Sequence, residues 1–386
     1  MSHSKNTTGI GPVRAAMRKI TTPFDEMRDW WGRAPGWVRW TVYGLVIVAA
    51  LLAPSDSVGA FMSPESDWAT ILFYPIGVFV LLAIGLNVVV GQAGLLDLGF
   101  VAFFAIGGYV MAVIGTELGW NFWEIIVVAV LISSLSGIIL GAPTLRLRGD
   151  YLAIVTLGFG EIVRLVAQNT DAIGGPRGIN SIPHPPDMSD IEIIPDLQPF
   201  TYGVIDPRPY YYLLVALCVL VIIFARRLEK SRVGRAWAAI REDEDAAEIM
   251  GVPTFRFKLL AFAIGAAIGG ATGTVFAAKM ISIVPNNFPF ILSATILAAV
   301  VLGGSGNLPG VILGAFLVGW LPERFRGFED YRVLLFGGVL VLMMIVRPQG
   351  LLPSRQRSAE FAEGSGMGGM GAEVATPTAK AEVSSR

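Results

Sequence analysis

Charged side chains are concentrated in one short segment that separates two long apolar runs. This segment, residues 234–251, contains Arg241, the acidic run 242–245 and the adjacent residues Ala246 and Ala247. Charges of both signs at helical spacing are typical of a solvent-exposed helix that presents an ionic surface. Two alanines allow a second surface to approach closely, and Gly251 is typical of a helix end. The segment therefore predicts either a docking helix for a protein partner or a plain solvated amphipathic helix.

Amide and carboxyl side chains also occur inside one apolar region, where Asn87, Gln92 and Asp97 flank two glycines. Polar groups in such regions are costly and often line cavities. A helix broken here would expose N–H groups that can bind a carboxylate and carbonyls that can bind an ammonium. The sequence thus predicts a translocation-pathway segment at 87–97. The alternative is a capping turn at the inner surface, with Asp97 capping the next helix.

A second polar pair, Glu161 and Arg164, lies in another apolar run. Residues three apart share one face of a helix. This spacing predicts an inward-facing ion pair, which either holds helices together or lines a transport route.

Residues for catalysis or metal binding are scarce. Cys218 is the only cysteine, and the two histidines, His3 and His184, lie in polar segments. The sequence has no GxxxxGK[ST] phosphate loop, and the glycine-rich turn 303–306 lacks its lysine. We therefore expect a non-enzymatic chain with no cofactor, no metal and no nucleic-acid partner.

The composition indicates the fold class that positions these residues. Of 386 residues, 54% are hydrophobic and 15% are charged, whereas soluble domains average about 25% charged residues. Apolar runs approach the ~20 residues that cross a bilayer. The sequence predicts an all-α integral membrane protein with about ten transmembrane helices at Val38–Ala53, Ala69–Val90, Leu95–Ile114, Phe122–Ala142, Tyr151–Gln168, Tyr210–Ala225, Leu259–Ala278, Phe288–Leu302, Gly306–Leu321 and Val333–Val346.

Charge asymmetry predicts the orientation in the membrane. The loop 226–258 carries eight basic residues, whereas the segment 169–209 carries two basic and six acidic residues. The positive-inside rule places the first in the cytoplasm and the second outside. Ten spans then place both termini in the cytoplasm.

The remaining regions complete the predicted domain organisation. A basic and aromatic segment, residues 1–36, precedes the transmembrane domain 37–352, and a tail rich in Gly, Ser, Ala and Met, residues 353–386, is predicted to be disordered. The seven prolines from Pro183 to Pro209 exclude a regular helix across the external loop 169–209. That loop either receives a soluble partner or simply connects two spans.

Several segments together resemble the LivM-type permeases of branched-chain amino acid ABC importers. Residues 245–251 resemble the EAA-x3-G motif of importer permeases, although Asp245 replaces the glutamate and no Ile-x-Leu-Pro ending follows. The order and spacing of the other segments carry the resemblance over about residues 70–352, through LAIGLNVVVGQAGLLDLGFVAFFAIGGYV (82–110), LRLRGDYLAIVTLGFGEIVRLV (145–166), GGPRGI (174–179), RVGRAWAAIREDEDAAEIMGV (232–252) and LGGSGNLPG (302–310).

This resemblance implies a multi-pass subunit of the bacterial cytoplasmic membrane that imports Leu, Ile and Val. Its implied partners are membrane lipid, a sister permease, two ATPase subunits that hold ATP and Mg²⁺, and an extracytoplasmic binding protein. Close relatives that import urea or short amides remain an alternative, as does an ion-coupled secondary transporter. The implied ATPase contacts are Ala239, Arg241, Glu242, Asp243, Glu244, Asp245, Ala246, Ala247 and Gly251.

Overall fold

The protein is helical throughout most of the part that its computed structural model describes. That part comprises residues 48–55, 58–59, 62, 67–145, 150–186, 202–203, 206–324, 334, 337–338, 341 and 350–352. The predicted segments 1–36 and 353–386, and most of the first and last predicted spans, lie outside it.

The helices follow one another with short connections, except for the segment 170–207 between α4 and α5. They are α1 Trp68–Gln92, α2 Val101–Leu118, α3 Phe122–Thr144, α4 Asp150–Asn169, α5 Arg208–Glu229, α6 Arg232–Glu242, α7 Glu244–Ile249, α8 Thr254–Met280, α9 Phe290–Gly303 and α10 Leu308–Arg324. Two short strands, β1 Ile179–Asn180 and β2 Ser282–Ile283, pair antiparallel with Ile179 opposite Ile283.

Seven helical segments in the described residues have the length and apolar composition of a membrane span. They are α1, α2, α3, α4, α5, α8 and the run Pro285–Gly303, which contains α9. The chain is therefore an all-α membrane protein whose described part contains seven candidate spans, where the sequence predicts ten spans in the whole chain. Helix α10, at the ninth predicted span, has 17 residues, fewer than any of these seven segments.

Helices α1 and α8 form the centre of the fold, and each is 78% buried over its apolar stretch. Glycines allow α8 to pack closely on α2, because a Cβ on Gly273 would lie 2.1 Å from the Phe104 carbonyl oxygen. Close backbone approach favours helix association in a bilayer, where lipid is as apolar as the side chains. The small residues of this span thus pack within the chain, and a subunit interface is not needed to explain them.

The outer helices are much less covered. Of the apolar stretch of each helix, 33% is buried in α3 and 22% is buried in α4 and in α5. Helix α4 exposes a set of large apolar side chains, namely Tyr151, Ile154, Ile162, Leu165 and Val166. We call these residues, together with Gly158, the α4 face.

The predicted break near residues 91–98 is confirmed. Helix α1 ends at Gln92 with a π-helical turn, and the chain stays non-helical until α2 begins at Val101. A similar glycine-rich turn separates α9 from α10, and the N–H of Gly306 in this turn donates to Asn87 Oδ1 at 2.8 Å. The two breaks therefore meet at one end of the molecule.

Candidate functional site

The charged segment forms two helices, where the sequence predicts one. Helix α6 ends at Glu242, and Asp243 has an extended backbone with φ −156° and ψ 111°. The Asp243 carboxylate accepts the Ala246 N–H at 3.0 Å, which caps α7. Aspartate is a favoured N-cap because its side chain satisfies a free backbone donor. This local bond explains why the helix restarts inside an otherwise helix-prone sequence.

Gly251 ends α7, as its position in the sequence predicts. Its φ of +87° lies in the left-handed region that glycine adopts without strain. The Gly251 N–H donates to the Glu248 carbonyl and the Val252 N–H to the Ala247 carbonyl, at 2.9 and 3.0 Å. This pair of bonds is a Schellman motif, which satisfies the last carbonyls of a helix.

Three long-range contacts fix the α6–α7 segment to the membrane helices. Trp237 Nε1 donates to the Phe257 carbonyl at 2.7 Å, and Lys258 Nζ forms an ion pair with Glu244 at 2.5 Å. Arg241 Nη1 donates to the Gly91 carbonyl at 2.6 Å. The segment is thus bonded both to the start of α8 and to the end of α1.

One side of α7 is open and apolar. Ile249 and Met250 are 85% and 83% exposed, more than any other large hydrophobic side chain in the described residues. Of the two adjacent alanines of the motif, Ala246 is exposed, whereas Ala247 is buried against its own chain. Ile249 and Met250 were not among the predicted contacts, although an apolar pair just before a helix-ending glycine is a signal that the sequence contains.

The other predicted contacts surround this open side unevenly. Three acidic side chains are exposed. Arg241 and Glu244 are half-buried because of their bonds to Gly91 and Lys258, and Ala239 is half-buried too. The exposed three are Glu242, Asp243 and Asp245.

The predicted pathway residues at the first break are enclosed by the chain. Asn87 is fully buried, and its Oδ1 accepts the Gly306 N–H. A Cβ on Gly91 would lie 2.0 Å from that oxygen and 2.5 Å from the Gly306 nitrogen. Gln92, at the end of α1, is half-buried. We call the cluster of Asn87, Gly91, Arg241 and Gly306 the inner junction.

Asp97 lies in the non-helical connection between α1 and α2 and is fully buried. Its Oδ1 accepts the Gly99 N–H at 2.8 Å, the arrangement of a turn that leads into a helix. Burial raises the pKa of this carboxyl to about 6, and hydrogen bonds from the Gly99 N–H and the Thr156 hydroxyl oppose that rise. Asp97 thus stabilises the turn before α2 but does not cap the helix itself, because the N-cap of α2 is Phe100, which makes no side-chain capping bond.

The ion pair of Glu161 and Arg164 is confirmed, but it is only partly enclosed by the chain. Arg164 Nε and Nη2 both contact Glu161 Oε2, at 2.9 and 2.8 Å. The two side chains are 32% and 27% exposed at the border of the α4 face. They line a small cavity with residues of α2 and of the start of α9. The structure does not bring them together with Asn87, Gln92 or Asp97 in that cavity.

These features define a class of protein: a multi-pass helical membrane protein with one polar helical segment held at an end of its bundle. Comparison identifies the family. Residues 68–346 match the family described as "Branched-chain amino acid transport system / permease component". Since this match covers more than half of the chain, the protein belongs to that family of permeases.

Individual relatives agree with this assignment. The chain is 46% identical over 303 residues to the high-affinity branched-chain amino acid transport system permease protein LivM of Salmonella typhimurium, covering 75% of this chain and 71% of that protein. LivM of Escherichia coli K12 is 44% identical over 304 residues, with the same coverage. LivH of E. coli K12, another permease protein of such a system, is 24% identical over 285 residues, covering 71% and 91%. No solved structure matches the chain significantly.

Proposed function

We propose that this chain is the permease subunit of an ATP-driven importer that moves leucine, isoleucine and valine across the bacterial cytoplasmic membrane. The similarity to LivM over three quarters of the chain supports the substrate class. The simultaneous similarity to LivH supports a pair of related permeases that form one channel.

The α6–α7 segment is the site of energy coupling in this proposal. The observation that carries it is a nearly fully exposed apolar tip, Ile249 and Met250, on a segment bonded to both α1 and α8. An apolar anchor surrounded by charges is typical of a protein–protein contact. A partner ATPase binds this tip, with Ala246 and the exposed acidic side chains at the edge. The ATPase subunits hold ATP and Mg²⁺.

The same contacts support an orientation of the chain in the membrane. The inner junction joins the basic loop to the breaks after α1 and α9, so these ends belong at the cytoplasmic face. Ten spans in the whole chain then leave both termini inside. The poorly covered side of α4 contacts the sister permease, and an extracytoplasmic binding protein delivers substrate to the opposite surface.

Docking is tested by copurification of the ATPases with the complete membrane complex. Ile249→Asp places a charge in the contact and is expected to reduce bound ATPase at least about tenfold, the size of a typical interface hot spot. Leu118→Asp is the matched control, because Leu118 is an apolar side chain that is 62% exposed, at the C-terminal end of α2. Wild-type amounts of ATPase on Ile249→Asp would refute docking at this tip. Ala247→Arg is unsuitable here because it would disrupt the segment itself.

The substrate is tested by uptake of labelled leucine in cells with and without the gene, with isoleucine, valine and urea as competitors. We expect deletion to abolish leucine uptake, and the two other branched amino acids to compete. Loss of urea uptake with intact leucine uptake would assign the permease to amides. Uptake that persists after ATP depletion would favour an ion-coupled transporter.

A further inference from the structure

The ion pair on α4 lies close to the middle of the membrane. Helix α4 has 20 residues and is therefore about 30 Å long, the thickness of the hydrocarbon core. At 1.5 Å per residue, Glu161 is about 17 Å and Arg164 about 21 Å from the inner end. Ionised side chains at this depth are costly and are associated with substrate or ion routes.

The pair leaves much of its hydrogen-bonding capacity open. Both bonds from Arg164 go to one carboxylate oxygen, Glu161 Oε2. A guanidinium has five N–H donors, and a carboxylate has a second oxygen. Within the described part of the chain, Glu161 Oε1 and the remaining donors of Arg164 have no protein partner. An anionic group and a cationic group can therefore both be bound here at once.

Apolar side chains surround this charged pair. The cavity behind it is lined by Leu98, Val101, Ala102, Leu157 and Phe290. Ser293 also lines it, but its Oγ already accepts the Val101 N–H at 3.1 Å. The site thus offers one positive group, one negative group and an apolar wall.

We propose that Glu161 and Arg164 bind the permeating substrate as a zwitterionic α-amino acid with an apolar side chain. The substrate carboxylate binds the Arg164 guanidinium, whose planar fork suits it, and the ammonium binds Glu161. The aliphatic side chain packs on the walls formed by α2 and the start of α9. This assignment rests on the proposed import function and adds a substrate site within the membrane.

Charge balance accounts for the selectivity of such a site. The empty pair is neutral overall, and it stays neutral after a zwitterion inserts between its two members. Acidic or basic amino acids would add an uncompensated charge in a low-dielectric region, which is expensive. Urea has no charges to exchange with the pair, so the site favours amino acids over amides.

The described conformation is closed at this position. The free volume of the cavity is about 10 Å³, which is room for about one water molecule and too little for leucine. The substrate therefore binds when α4 moves away from α2 and α9. The sister permease, on the α4 face, completes the site from the other side.

The test is leucine uptake by the complete importer, with binding protein, in proteoliposomes. Glu161→Gln and Arg164→Gln each remove one charged partner, and we expect uptake per assembled complex to fall about 10- to 100-fold, as for a lost charged hydrogen bond. Glu117→Gln, the same substitution at the exposed outer end of α2, is the matched control and should leave uptake unchanged.

A reversed pair, Glu161→Arg with Arg164→Glu, separates binding from structural support. It restores the ion pair, and we expect it to restore assembly but not uptake. Recovery of uptake in the reversed pair, or wild-type uptake in both single variants, would overturn the proposal. If Arg164→Gln does not assemble, Arg164→Lys takes its place, because it keeps the positive charge and loses the planar guanidinium. The proposal then predicts reduced uptake by Arg164→Lys, and wild-type uptake would overturn it. Absence of leucine uptake in the wild-type complex would instead reject the proposed function.

Discussion

The inner junction and the ion pair beside the α4 face differ in what their polar side chains bond to. At the junction, Asn87 and Arg241 bond to backbone atoms far away in the sequence, at Gly306 and Gly91. On α4, Glu161 and Arg164 bond to each other within one helical turn. The first region joins distant elements, whereas the second is complete only locally and remains half-exposed.

This difference indicates a division of labour within one chain. A tightly packed cluster transmits movement, because its atoms cannot shift independently in a close-packed interior. A half-covered ion pair in the middle of a membrane needs something further to cover it. In the proposed importer, the junction carries motion from the ATPases, and the α4 face meets the sister subunit and substrate.

The largest contrast is expected from valine at one glycine of each region. Gly91→Val would drive its side chain into Asn87 and the Gly306 backbone, and we expect destabilisation of at least about 3 kcal/mol. Gly158→Val meets no atom within 4 Å and should leave the chain folded. The measurement is the yield of monodisperse protein by size-exclusion chromatography. Equal yields would contradict the packing difference between the regions.

A smaller and more specific effect is expected at Arg241. Arg241→Gln removes the charged donor to the Gly91 carbonyl, and we expect leucine transported per ATP hydrolysed to fall about tenfold. Assembly should persist, because the Trp237 and Lys258 contacts remain. Arg235→Gln, at an exposed position on α6, serves as control. An unchanged transport-to-ATP ratio would show that the junction does not transmit movement.

The last expected effect is a pH dependence of stability at Asp97, beside the junction. The pKa of this buried carboxyl is raised from 3.8 to about 6, so the folded protein retains its proton more readily than the unfolded chain. The resulting stabilisation is full below about pH 4 and is lost as the pH rises through about 6. Asp97→Asn has no carboxyl to titrate, so it abolishes this loss of folding stability, which is at most about 3 kcal/mol.

The stability advantage of Asp97→Asn over the wild type should therefore shrink as the pH falls from 8 to 4. Thermal unfolding of the detergent-solubilised protein at several pH values measures this difference. A difference that stays constant over this range would contradict the raised pKa.

The sequence alone was sufficient for those features that depend on local patterns. Apolar runs of about 20 residues predict the spanning helices because a bilayer demands that length. Gly251 predicts the end of α7 because a left-handed residue closes a helix there, and the spacing of Glu161 and Arg164 predicts their contact. Asp243 was assigned to a continuous helix, although its capping chemistry favoured a new start.

Only the tertiary structure decided which of these residues face one another and which face outward. Ala246 and Ala247 are adjacent and identical in the sequence, yet one is exposed and the other buried, because α7 rests on α8 through a single side. Likewise, 219 residues separate Asn87 from Gly306, and no local pattern predicts their bond. Periodicity determines the faces of a helix, but packing between helices determines what each face meets.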